Sequence, residues 1–138
     1  MTSTPRILAA TARPGYPVLK RLFEDVSDVT FVFSMGEGLA RLRAGGYDLV
    51  VCTIHFDESR MFDFEREARQ VAPDVPFVCC RLLDSILKDA VFGAMRVAVD
   101  GLGGEFIDRQ ELHQRLGEEA GDAEFVRRVL ARARLPAG

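Results

Sequence analysis

The first residues that could do chemistry are His55, Asp57 and Glu58, which stand together in a polar stretch after an apolar run. Imidazole and carboxylate groups are common ligands of metal ions, so this stretch is a candidate metal site. Neighbouring residues on one loop rarely converge on an ion without a further ligand, and the other histidine, His113, lies far along the chain. We therefore expect a solvated polar loop and predict that the protein holds no metal ion.

The cysteines are a second candidate for chemistry. Cys52, Cys79 and Cys80 lie in apolar runs without a Cys-x-x-Cys motif. The positions where a Cys-x5-Arg phosphatase loop would need its arginine hold Glu58, Ser85 and Ile86. An odd number of cysteines without regular spacing also argues against a disulfide-bonded secreted protein. We interpret these thiols as small core groups and predict a cytoplasmic protein.

Two glycine-containing stretches could bind phosphate. The segment 11–16 follows an apolar run, as a flavin-phosphate loop does, but it has a single glycine, and Pro14 and Pro17 have no N–H to donate. The stretch 101–104 precedes a weak strand pattern instead of following a strong one, so it is not a dinucleotide fingerprint. We predict that the protein has no cofactor.

Composition indicates one globular domain that binds neither nucleic acid nor membrane. The 138 residues are 48% hydrophobic, which suffices for one core. The 18 basic and 21 acidic residues are interspersed, so no cationic surface for a phosphate backbone is predicted. No apolar stretch is long enough to span a bilayer, and the first residues do not have the layout of a signal peptide.

Short apolar runs alternate with longer amphipathic segments, a pattern typical of a parallel sheet covered by helices. The predicted strands are Ile7–Ala10, Val29–Phe33, Tyr47–Ile54, Phe77–Cys80 and a weak, glycine-rich strand over Asp100–Ile107. Apolar residues at helical spacing predict a helix after each strand. The predicted caps and breaks of these helices are Asp84, Asp108, Gly117 and Gly121. We assign residues 1–116 to the domain and residues 117–138 to a C-terminal helical extension of the same domain.

The order of these elements from Arg6 to Leu116 resembles the receiver domain of bacterial response regulators. The segments that carry the resemblance are Tyr47–Ile54, Val75–Cys80, Ala98–Leu102, Phe106–Asp108 and Glu111–Leu112. The resemblance implies an α/β, flavodoxin-like and CheY-like fold. That fold is a doubly wound, five-stranded parallel sheet of order 2-1-3-4-5 with helices on both faces.

The resemblance also implies a site for magnesium and a phosphoryl group, and its positions can be compared with this chain. Receivers place an acidic pair at the end of the first strand and a phosphate-accepting aspartate at the end of the third. This chain has Thr11, Ala12 and Thr53 there. Magnesium prefers carboxylate oxygens, and this transfer requires a carboxylate nucleophile. We match the family's hydroxyl residue after the fourth strand and its lysine after the fifth to Arg81 and Gly104. The chain is thus interpreted as a degenerate pseudo-receiver without catalytic residues.

The arginines predict a changed charge in this pocket. Arg81, with Arg13 nearby, would bring positive charge to the place where receivers hold a cation. In one interpretation Arg81 fixes the domain in one conformation, or binds an anion or a partner's carboxylate. In the other, which we favour, it pairs with Asp57 or Asp84 at the surface or points to solvent.

These observations favour a non-catalytic signal-transduction module that acts by phosphorylation-independent protein–protein interaction. Receivers commonly pair through the face formed by their fourth helix, fifth strand and fifth helix, so a protein partner or a homodimer is expected there. The predicted face comprises Val91, Met95, Leu102, Phe106 and Leu112. The alternative is a small α/β enzyme or a flavin- or nucleotide-binding domain whose polar set would be Thr53, His55 and Arg81.

Overall fold

A computed structural model describes residues 4–83 and 87–133. Its centre is a five-stranded, all-parallel sheet of order β2-β1-β3-β4-β5, which confirms the predicted fold class. The strands are β1 (Arg6–Ala10), β2 (Asp28–Val32), β3 (Leu49–Thr53), β4 (Phe77–Arg81) and β5 (Glu105–Asp108). Because the strands are parallel, their carboxyl ends meet at one edge of the sheet, where doubly wound folds place their ligands.

Helices connect the strands and cover both faces of the sheet. They are α1 (Tyr16–Phe23), α2 (Met35–Ala44), α3 (Met61–Val71), α4 (Asp89–Gly101), α5 (Arg109–Leu116) and α6 (Glu118–Ala131). Helix α4 begins at Asp89, and the predicted cap Asp84 lies outside the described residues. The prediction that a strand begins at Asp100 is wrong, because Asp100 and Gly101 complete α4 and the chain turns at Gly103, whose φ is +89°.

The core has two parts, one on each face of the sheet. Alternation along β1 sends Leu8 and Ala10 to the face covered by α2, α3 and α4, and sends Ile7 and Ala9 to the opposite face. The cysteines divide in the same way and are fully buried, as predicted. Burial raises the pKa of the Cys80 thiol to about 12, so this side chain is an uncharged core group.

The C-terminal segment forms two helices on the flank of the domain. Gly117 separates α5 from α6 with a φ of +88°, as the predicted break requires. Gly121 is not a break: it is buried inside α6, where an added Cβ would lie 2.9 Å from the carbonyl oxygen of Leu112. The ring of Phe125 packs against Phe23 of α1 with centroids 6.1 Å apart. Helix α6 therefore completes the core on this face.

Within segments 4–83 and 87–133, none of the helices combines the length and the apolar character that a membrane span requires.

Candidate functional site

The carboxyl edge of the sheet places Thr11 beside Thr53. Thr11 directly follows β1 and Thr53 is the last residue of β3, and both side chains are buried. The Thr53 hydroxyl donates a hydrogen bond to Oγ1 of Thr11 at 3.3 Å, and the Thr11 hydroxyl donates to the carbonyl oxygen of Ala12 at 2.9 Å. The two hydroxyl protons at this edge are thus used within the protein.

A cavity of about 150 Å³ opens above the two threonines. Its lining consists of Thr11, Ala12, Pro14, Gly15, Thr53, Ile54, His55, Leu82 and Leu83. Among the described residues the lining includes no carboxylate, and no three His, Cys, Asp or Glu side chains of those residues are grouped to hold a metal ion. Flavin and nucleotide sites commonly measure about 300–1,000 Å³, so this cavity does not suit them.

Arg81 points away from this cavity and forms an ion pair inside the protein. Its Nε lies 2.8 Å from Oδ1 of Asp108, and only 9% and 6% of the two side chains are exposed. The guanidinium also lies over the ring of Phe92, 4.0 Å from the centroid. Our prediction that Arg81 would lie at the surface is therefore wrong, and an anion or a partner's carboxylate would have to compete with Asp108 for this guanidinium.

Asp57 and Arg13, which we expected near Arg81, form contacts with other residues. Asp57 accepts a hydrogen bond from the backbone N–H of Met35, at the start of α2, at 2.8 Å. Arg13 is exposed and lies over the ring of Phe33, 5.1 Å from the centroid. Since the cavity lining includes neither Arg13 nor Arg81, the predicted positively charged pocket is wrong. The alternative polar set also fails to converge, because Thr53 and His55 line the cavity and Arg81 does not.

Gly104, which we matched to the family's lysine, does not lie at the carboxyl edge of the sheet. Gly104 precedes the first residue of β5 and so lies at the amino edge of the sheet, opposite the cavity. The carboxyl end of β5 is Asp108, which is paired in register with Arg81 of β4. Asp108 also accepts a hydrogen bond from the N–H of Glu111 at 3.1 Å, which confirms its predicted role as the cap of α5.

Asp122 of α6 joins the last two helices to the sheet, and sequence reasoning did not find it. Its carboxylate accepts from Nε of Arg109 at 2.7 Å and lies 2.5 Å from Nε2 of His113. Burial opposes ionisation of Asp122, but the hydrogen bonds from Arg109 and His113 outweigh it and lower the pKa. Nη1 of Arg109 also donates to the carbonyl oxygen of Leu82 at 2.8 Å, so this network reaches the cavity wall.

The loop after β3 has an unusual backbone. Asp57, Glu58 and Ser59 have φ values of 44°, 57° and 66°, a left-handed turn made without glycine. Each such residue costs about 1–2 kcal/mol relative to right-handed geometry. The bond from Met35 N–H to Asp57 offsets part of this cost and turns Asp57 towards α2. His55 instead lines the cavity, so these side chains do not converge.

Glu65 of α3 is a buried acid that the sequence analysis did not single out. None of its surface is exposed, and Oε1 lies 4.0 Å from the sulfur of Cys79. Among the described residues, its Oε2 has no hydrogen-bond partner. Burial raises the pKa of Glu65 to about 7, although Arg69 opposes the shift. Its spacing from Met61 and Ala68 places it in the apolar stripe of α3, and that spacing could have revealed it.

The predicted interaction face is only partly at the surface. Val91 is 38% exposed, and Met95 and Leu102 are half-buried. Phe106 and Leu112 are 3% and 2% exposed, so their assignment to this face is wrong. Both point into the core, one on each face of the sheet. Val97, 74% exposed on α4, is a further apolar surface residue.

Comparison with known proteins identifies the fold. No protein-family model and no curated protein sequence matches this chain. A putative response regulator from Chloroflexus aurantiacus is similar in structure, with a TM-score of 0.70 and 13% identity, over 94% of this chain and 98% of that one. A response regulator from Thermotoga maritima gives a TM-score of 0.67 and 17% identity over the same shares. A CheY-like receiver domain protein from Methanospirillum hungatei gives 0.61 and 18% identity over 89% and 98%. The chain therefore has the receiver fold.

Proposed function

We propose that this chain is a cytoplasmic signalling module, a pseudo-receiver that acts by contact with another protein and does not accept a phosphoryl group. One observation carries the proposal. Where the family resemblance implies carboxylates, Thr53 donates a hydrogen bond to Thr11, and Thr11 donates to backbone. The cavity above both side chains is mostly apolar, and its described lining residues include no carboxylate.

The chemistry of this edge opposes phosphoryl transfer. A carboxylate attacks phosphorus as an anion, whereas a threonine hydroxyl must first lose a proton to a base. The Thr53 proton is directed to Oγ1 of Thr11, which is not a base. Magnesium also prefers charged carboxylate oxygens as ligands, and the polar side chains of the described lining residues are two hydroxyls and one imidazole.

The buried pair supports a domain held in one conformation. Arg81 and Asp108 join the carboxyl ends of β4 and β5, and Asp108 also caps α5. Movement of the β4 end relative to α5 would separate two buried charges, which is costly in a low-dielectric interior. On this proposal the surface near α4, β5 and α5 is presented permanently and needs no phosphoryl signal.

Phosphorylation can be tested directly. The protein is incubated with magnesium and acetyl phosphate, and its intact mass is measured beside a phosphorylatable receiver domain treated in the same way. We expect the control to gain an acid-labile phosphoryl adduct and this chain to keep its original mass. An acid-labile adduct on this chain would refute the proposal.

Protein contact on α4 can be tested by charge substitution. Val91 and Met95 are four positions apart and share one side of the helix, whereas Val97 lies on another side. In sedimentation equilibrium we expect a homodimer that V91E/M95E weakens at least about tenfold, since charges in an apolar contact are costly to desolvate. V97E is the matched control and should dimerise normally. A monomer at all concentrations would leave the face to a different protein partner.

A further inference from the structure

We propose that the cavity above Thr11 and Thr53 is a binding site for a small, neutral, largely apolar molecule that carries one hydrogen-bond donor. This inference goes beyond the proposed interaction function, because it concerns a ligand and holds whether or not the α4 surface binds a partner. Three properties of the cavity carry it: its size, the absence of permanently charged side chains among its described lining residues, and the direction of its hydrogen bonds.

The size of the cavity suits a single ring. Its volume of about 150 Å³ equals that of engineered apolar cavities that stay dry and bind benzene. The walls are also closely packed. A Cβ on Gly15 would lie 2.4 Å from Oγ1 of Thr11 and 3.2 Å from Cδ1 of Leu82, so these groups leave little room for collapse.

The charges of the described residues around the cavity disfavour an ion as its occupant. Arg81 is neutralised by Asp108, and Arg13 lies over Phe33 outside the lining. Among the lining residues that the structure describes, His55 has the one titratable side chain. An anion or a metal ion would therefore lose its hydration without gaining a charged partner, and that desolvation is strongly unfavourable.

The hydrogen bonds of the two threonines indicate that the polar atom of the ligand must donate a hydrogen bond. The Thr53 hydroxyl donates to Thr11, and the Thr11 hydroxyl donates to the carbonyl of Ala12, so both protons are committed. The oxygen of Thr53 keeps lone pairs that can accept a bond, since a hydroxyl accepts as well as donates. A phenol-like hydroxyl or a neutral amine fits this arrangement, and a ligand that only accepts does not.

The ligand class can be tested with phenol as the probe. Two-dimensional NMR of the full chain is recorded during separate titrations with phenol, with toluene, which lacks the donor, and with benzoate and inorganic phosphate, which are charged. We expect phenol and toluene to shift the amide signals of the cavity segments 11–15 and 53–55, and benzoate and inorganic phosphate to leave them unchanged. Phosphate shifts equal to those of phenol would overturn the proposal.

Two substitutions separate size from hydrogen bonding. A12L fills the cavity and should abolish binding of both phenol and toluene. T53V keeps the shape and removes the acceptor, so phenol should bind about tenfold more weakly while toluene binds as before. T30V makes the same change on β2, away from the cavity, and should alter neither affinity.

A thermal melt of each variant establishes that it is folded. Unchanged phenol binding by folded A12L would show that phenol binds elsewhere and would refute the site. Because none of these measurements involves phosphoryl transfer or the α4 surface, their failure would leave the proposed function standing.

Discussion

Arg81 and Asp108 end neighbouring parallel strands and form an ion pair of 2.8 Å inside the protein. Asp108 is also the cap of α5 through the N–H of Glu111. A single carboxylate thus connects β4, β5 and α5. The ion pair and the helix cap together form a buried polar contact at the carboxyl ends of β4 and β5.

We expect D108A to be strongly destabilising, because it leaves the Arg81 guanidinium buried without a counter-charge. Loss of one partner of a buried pair typically costs about 3–5 kcal/mol in the free energy of unfolding. Urea unfolding followed by circular dichroism measures this loss. D63A, which removes an exposed pair with Arg66, is the control and should change stability by less than about 1 kcal/mol. Equal effects of the two substitutions would contradict the burial of the Arg81–Asp108 pair.

Because of Glu65, we expect the free energy of unfolding to fall as the pH rises. Its pKa in the folded protein, about 7, lies above the ordinary value of 4.5, so the folded state binds more protons than the unfolded state between these values. Stability from this group is therefore full below pH 4.5 and is lost as the pH rises to about 7. The loss amounts to about 3 kcal/mol at most. Urea unfolding at a series of pH values measures it, and E65Q should remove this component of the slope.

For Asp122 we expect the opposite pH dependence to that of Glu65: the docking of α6 should weaken as the pH falls. Its lowered pKa means that the ionised carboxylate stabilises the folded state above the ordinary value of 3.8, and this stability is lost as the pH falls through the folded pKa. D122N should cost about 1.5–3 kcal/mol, because Arg109 and His113 lose a charged acceptor. Hydrogen exchange of the α6 amides should accelerate more than that of β3. Uniform acceleration across the domain would contradict a local role in docking.

Gly121 and Gly93 form a matched pair within helices. An added Cβ at Gly121 would lie 2.9 Å from both the carbonyl oxygen of Leu112 and Cδ2 of His113, whereas none of the surrounding described atoms lies within 4 Å at Gly93. We expect G121A to destabilise by about 1–3 kcal/mol through overpacking. G93A should stabilise by about 0.5–1 kcal/mol through its higher helix propensity. Thermal melts of the two variants should therefore shift in opposite directions.

The strands and helices could be predicted because the patterns that indicate them lie within short segments of the chain. The continuous apolar runs in β1, β3 and β4 are typical of strands buried on both faces, and Asp108 had the position of a cap. The beginning of β5 was misjudged because glycines around Gly103 blur the boundary between a helix end and a strand. The places of Thr11 and Thr53 at the ends of the first and third strands were predicted from the resemblance, whereas the hydrogen bond between their hydroxyls was not.

The contacts of charged side chains could not be predicted from the sequence. Whether Arg81 points to Asp57 or to Asp108 depends on the order of strands and on the side of β4 from which the side chain leaves, and both are properties of the assembled sheet. The Asp122 network likewise forms because Gly121 lets α6 approach α5 closely. Such contacts join residues that are distant in the chain, so local patterns carry no signal for them.

The position of Phe125 and Val129 has a practical consequence for protein engineering. These two side chains are wholly enclosed, and they meet Phe23 and Leu19 on the face of the sheet that α1 also covers. A fragment that ends at Leu116, or a fusion in which another protein replaces the chain from Gly117 onward, would leave this apolar surface exposed. We expect such proteins to aggregate on expression. Reporter tags should instead be attached after α6.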